Sequence, residues 1–108
     1  MDIMTLADAP AYDADQVVAG IWMTADQCNV RLIRLSPGQV LPPHTHGASD
    51  LMLYVIEGSG LVHADDDAAP CQAGSLAYIA PNESLTVHND GTTGMTLLAF
   101  LAPPFPSG

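Results

Sequence analysis

The chain has no lysine, and Arg31 and Arg34 are its only strongly basic side chains. Against them stand 12 acidic residues, for a formal net charge of −10 over 108 residues. A surface this negative does not neutralise phosphates, so nucleic-acid binding is not expected, and an anionic membrane surface would repel it. The same charge favours solubility and attraction for neutral or cationic ligands. No apolar run is long enough to span a bilayer. Residues 1–5 lack a basic stretch followed by an apolar one, so no secretory leader is expected. Cysteine is scarce too: Cys28 and Cys71 in a leaderless chain read as buried reduced thiols, which points to a cytoplasmic location. Helical periodicity, internal repeats and low-complexity segments are all missing.

Turn residues and apolar residues are plentiful. Nine glycines and nine prolines punctuate the chain, and 48% of it is apolar. That is the rhythm of one all-β domain of short antiparallel strands over residues 1–108. Strands are expected at 17–23, 28–35, 40–46, 51–57, 61–63, 74–80, 84–88 and 95–101. The core spans about 28–102, with N-terminal strand material in 1–24 and a proline-rich tail at 103–108. Ser36-Pro37-Gly38, Gly58-Ser59-Gly60, Asp65-Asp66-Asp67 and Pro81-Asn82 read as turns. The Asp run lacks the ligand spacing of a calcium loop and reads as a solvated tip. Such strands close on themselves to remove exposed edges, and a small barrel has a mouth where a ligand can sit. Trp22 and Phe100 are core candidates, and Met52 and Met95 core or interface filler. Tyr54 is assigned to a packed face and Glu57 to a structural strand end.

His44-Thr45-His46 precedes the strand that runs to Glu57-Gly58. Side chains two apart on a strand share a face, so two imidazoles at this spacing can grip one metal ion from the same side. Gly38, five residues and then His44-Thr45-His46, followed by Tyr54-Val55-Ile56-Glu57-Gly58, resembles the first motif of the cupin superfamily. The span from Gly74 to Asn89 has the length of the second. The resemblance implies a single-domain, RmlC-like jelly-roll β-barrel and a homodimer. The N-terminal strand and the tail with Phe105 are candidates for the dimer contact.

The departures from that pattern bear on function. Counted back from Gly58, the position of the family's metal-binding Glu falls on Leu51; counted from Gly74 and Asn89, the third His falls on Leu85. Counted forward from His46, the Glu position falls on Asp50 instead, and only one of Asp50 and Leu51 can face inward. Asn82 stands where the family has a Gly and tolerates positive φ. His88 lies on the wrong parity unless a bulge intervenes, and the facing of His63 is left open. Arg31 and Arg34 lie on opposite faces of one strand, so one can point inward as a carboxylate anchor.

Two readings stay open. In one, the barrel binds a small, partly apolar organic ligand in a pocket of His44, His46, Leu51, Leu53, Val55, Leu85 and Val87, with an incomplete metal site. In the other, a metal-dependent enzyme of dioxygenase, isomerase or lyase type holds a divalent Zn, Ni, Fe or Mn ion on His44 and His46, with Asp50 or His88 as a further ligand.

Overall fold

Buried and exposed side chains alternate from Asp50 to Val55, and in the computed structural model, which describes residues 1–104, that alternation is the wall of a barrel. Leu51, Leu53 and Val55 are buried, while Asp50, Met52 and Tyr54 face out. Nine strands are present among the described residues: β1 (Val18–Thr24), β2 (Asn29–Leu35), β3 (Val40–His44), β4 (Asp50–Glu57), β5 (Ser59–Ala64), β6 (Asp67–Gln72), β7 (Leu76–Ile79), β8 (Leu85–His88) and β9 (Met95–Ala102). They form two sheets, ordered β1-β2-β9-β4-β7 and β3-β8-β5-β6, with every pair antiparallel. Strands distant in sequence pair, as β2 with β9 and β3 with β8. This is a jelly roll, and the inner faces of the two sheets make one core.

The first sheet presents its inner residues in layers set by register. Asn29, Leu101, Leu51 and Ile79 lie across it in one row; Arg31, Ala99, Leu53 and Ala77 form the next; Ile33, Leu97 and Val55 follow. The second sheet answers with His44, Leu85 and Ala64, then Leu41, Val87 and Val62. Burial of these leucines and valines, each contributing about 1.5–3 kcal/mol, supplies the main drive to close the barrel.

Turn chemistry follows the expected residues in two places. Asn82 takes φ +65°, as a stand-in for glycine must. Gly58 takes φ +82°, and a Cβ there would run into the Gly94 carbonyl oxygen. Asn89 is fully buried; its Nδ2 donates to Leu35 O and Thr93 O, both at 2.9 Å, and its Oδ1 accepts from Gly91 N.

Several expectations are corrected. Residues 67–72, of which only Asp67 was assigned (to the turn), form edge strand β6; Ser59 and Gly60 belong to β5. Phe100 is 40% exposed on the outer face of β9, and Trp22 is half-buried. Tyr54 is 38% exposed rather than packed. Neither cysteine is paired; Cys28 is exposed and Cys71 half-buried. Phe105 lies outside the described residues.

An N-terminal strap crosses the outer face of the first sheet. Tyr12 donates its hydroxyl proton to Glu57 at 2.7 Å and lies 2.6 Å from Thr96 Oγ1. Arg34, turned outward, stacks on the Tyr12 ring and donates to Pro10 O at 2.8 Å. Glu57 thus has the structural role expected of it; the Tyr12 hydrogen bond, then that from Thr96, holds its carboxyl below the usual range. Among the described residues no helix is long and apolar enough to cross a membrane.

Substitution at two glycines separates backbone strain from collision. Gly38 also has positive φ, but open space surrounds its missing Cβ. In urea denaturation, Gly38→Ala is expected to cost about 1–2 kcal/mol. Gly58→Ala adds an overpacking cost and is expected to lose about 2–5 kcal/mol. Equal losses would show that the close approach at Gly58 carries no weight.

Candidate functional site

The histidine pair is positioned by a break in β3. Leu41 pairs with Val87 and His44 with Leu85, so both point inward although they are three residues apart. The register shift between them coincides with Pro42 and Pro43, which have no N–H for the ladder. His44 Nδ1 lies 2.8 Å from Pro42 O, and a carbonyl can only accept, so Nδ1 carries the proton. In the neutral ring this leaves Nε2 as the open acceptor.

His46 is not on the strand: β3 ends at His44, and His46 sits in the following loop, 5% exposed. Its carbonyl accepts from Ser49 N at 3.1 Å, and Asn82 N reaches the neighbouring Gly47 O, tying this loop to the turn after β7. The two imidazoles meet edge to face, with centroids 4.5 Å apart. Burial first, then His44 and Arg31, push the His46 pKa down to about 4, so its ring is neutral at physiological pH.

Arg31 is the inward arginine and Arg34 the outward one. Arg31 shares the inner face with Ala99 and Leu53 and is 9% exposed; burial lowers its pKa. Its charge reaches His46. Asn29, in the adjacent layer and 3% exposed, was not anticipated; its shared parity with Arg31, Ile33 and Leu35 was the available signal. Asn29 and Arg31 thus bring polarity to the inner face of β2, and His44 and His46 to β3 and the loop after it, with the Arg31 charge acting on His46. Leu51 and Leu85 are 1% and 0% exposed, and Leu53 and Val87 lie in the adjoining layers. Val55 is a layer deeper in the core. A cavity of about 560 Å³ opens between β6 and β7, lined by Val62, Ala64, Cys71, Leu76, Ile79 and Glu83 among others.

The extra ligands considered for a metal are corrected. Asp50 is exposed on the outer face and accepts from Tyr78 Oη at 2.6 Å, because Leu51 takes the inward parity. His88 is cross-strand neighbour to Val40 and Leu61 on the outer face of the second sheet, and no bulge in β8 turns it round. His63 faces outward as well, since Val62 and Ala64 line the interior. Among the described residues no group of three or more His, Cys, Asp or Glu side chains is placed to hold a metal ion. Two imidazoles beside a guanidinium and two leucines are a poor donor set for Zn, Ni, Fe or Mn, which favour three or more protein ligands.

A two-sheet jelly-roll barrel with polar groups on its inner faces defines the class of architecture. Residues 31–101 match the family model described as the cupin domain, and the chain belongs to that family. An oxalate-binding protein of Thermotoga maritima is 28% identical over 69 residues, covering 64% of this chain and 57% of that protein. The match thus spans little more than half the length of that relative. The crystal structure of TT1209 from Thermus thermophilus superposes with a TM-score of 0.87 at 25% identity, covering 96% of this chain and 99% of that one. An RmlC-like cupin from Desulfovibrio desulfuricans gives 0.84 at 25% identity, over 96% and 98%.

The depressed His46 pKa has a signed consequence for stability. Above its ordinary value of 6.5 the ring is neutral in both states; as pH falls from 6.5 toward about 4, the unfolded chain takes up a proton that the folded chain refuses. Folding stability contributed by the neutral ring is therefore lost across that window. Between pH 6.5 and 4.5 the wild type is expected to lose about 2 kcal/mol more than His46→Gln in chemical denaturation. Parallel curves would show that His46 titrates normally.

Proposed function

We propose that this cupin binds a small, partly apolar organic molecule between its sheets and does so without a resident metal. The observation that carries the reading is the pair Leu51 and Leu85, both buried, Leu85 as the cross-strand partner of His44 and Leu51 on the inner face of the other sheet. They put apolar side chains at the two positions where the motif resemblance would place further metal ligands, and an apolar interior with few polar groups suits a small organic ligand. The relative named for oxalate binding supports small-molecule binding as the activity class. A metal-dependent enzyme on His44 and His46 is the competing reading, and the charge of Arg31 beside His46 weighs against it.

Methyl and imidazole NMR with small aromatic and aliphatic fragments, in the presence of EDTA, tests this. Shifts at Leu51, Leu85 and His44 are expected, with affinity falling by about tenfold or more in His44→Ala. Shifts that arise only after Zn²⁺, Mn²⁺ or Fe²⁺ is added would favour the metal-dependent reading.

A second copy of the chain is the proposed macromolecular partner. Met52 lies opposite Phe100 and Tyr78, and Tyr54 opposite Leu98 and Leu76, on the outer face of the first sheet. Met52, Tyr54, Leu76, Tyr78 and Phe100 are each more than a third exposed, and an apolar patch this continuous marks a contact surface. Light scattering is expected to give a dimer for the wild type and a monomer for Tyr54→Glu with Phe100→Glu; a monomeric wild type would refute the dimer.

A further inference from the structure

We propose that the seam between β6 and β7 is a binding site in its own right, and that it takes an organic monocation: an ammonium group carried on a small apolar body. The site lies at the sheet edges, apart from the histidine pair, and does not depend on the pocket reading above.

Among the described residues β6 pairs only with β5, and β7 only with β4, so the two sheets end here side by side with no ladder between them. Register fixes what each edge turns inward. On β6, Ala69 lies opposite the buried Val62 and Asp67 opposite Ala64; on β7, Ala77 and Ile79 lie opposite the buried Leu53 and Leu51. Leucines and valines fill the middle of the barrel, whereas Ala64, Ala69 and Ala77 meet at this seam. Their short side chains leave the cavity of about 560 Å³ between the strands. That volume lies within the range of small-molecule sites.

The lining carries one sign of charge. Asp67 enters it from the inner face of β6 and Glu83 from the turn between β7 and β8, and no Lys, Arg or His belongs to it. Ala80 N donates to Glu83 Oε1 at 2.7 Å and so fixes that side chain. Both arginines lie on β2, three strands away in the order of the sheet. Tyr78 also lines the cavity; its hydroxyl donates to Asp50 at 2.6 Å, which pins a ring whose π-system attracts cations. That hydrogen bond first, and the charge of Glu83 last, raise the Tyr78 pKa, so two carboxylates act at one ring. An ammonium group finds acceptors here, while its hydrocarbon lies on Val62, Ile79 and the alanines. An anion is repelled, and a divalent metal ion favours more ligands than two carboxylates supply. The net charge of −10 adds a long-range attraction for the same class of ligand.

Isothermal titration calorimetry near neutral pH and at low salt, using benzyltrimethylammonium, benzyl alcohol and benzoate, tests the assignment. The cation is expected to bind about tenfold more tightly than the alcohol, and benzoate more weakly than either. Glu83→Gln, which keeps an acceptor for Ala80 N, together with Asp67→Asn is expected to weaken the cation by about tenfold and to spare the alcohol. Added salt is expected to weaken the cation alone. Ala69→Trp, at an exposed position on the edge strand, fills the gap and is expected to abolish binding of both, with circular dichroism checking that it folds. His44→Ala is expected to change neither. Equal affinity for cation and alcohol, unmoved by the double carboxylate variant, would overturn the cation assignment. Cation binding that survives in folded Ala69→Trp would overturn the seam as its location, as would its loss in His44→Ala. Binding of no probe would refute the site, while the pocket reading is judged separately by the shifts at Leu85 and His44.

Discussion

Strand parity in β4 is the constraint on which the rest of the site depends. A slip of one residue would turn Asp50 into the barrel and Leu51 out, placing a carboxylate beside the histidines and converting the donor set. The native register is held from both sides: Leu51, Leu53 and Val55 each pair with buried residues of β9, and the strand ends at Gly58, whose backbone passes too close to Gly94 for any side chain. Past Val55 the ladder shifts, and Glu57 comes opposite Thr96 on the outer face, where Tyr12 engages both. One strand thus sets the apolar lining within and anchors the strap outside.

Charge is partitioned with equal consequence. Two arginines three residues apart on β2 have opposite fates: Arg34 joins the surface network with Tyr12 and Pro10, while Arg31 enters the barrel. Their parity alone separates them. A protein with so few cations has committed one of them to its interior, next to an imidazole held neutral by burial and by that neighbouring charge.

Much of this was legible in the sequence, and the reasons are physical. Glycine and proline spacing gave most of the strands, and the resemblance of the His44–Gly58 and Gly74–Asn89 segments to the cupin motifs implied the jelly roll; Asp50 and Leu51 both stayed open as the inward residue, because Met52 is as apolar as its neighbours and the run does not declare its own parity. The facing of Arg31 was not readable, since β2 carries Leu32 among its outward positions and so blurs its own alternation. That His46 lies in a loop was hidden because two prolines stretch the chain in either case. β6 was missed because Asp67-Ala68-Ala69-Pro70 has weak strand propensity and is ordered as a sheet edge by β5. Phe100 and Tyr54 looked like core because large apolar side chains usually are; their row on the outer face is visible only once β4, β7 and β9 are laid side by side.

The direction in which polarity changes across the barrel has a geometric corollary. The gradient runs from β2 through β9 and β4 to β7, across the strands and not along them. Adjacent strands are about 4.8 Å apart, so three steps give a ruler of roughly 14 Å. That span separates the interior charge of Arg31 on β2 from the cavity that opens beside β7. The packed leucines of β9 and β4 fill the distance between them, so the two ends of the sheet are electrically and sterically independent.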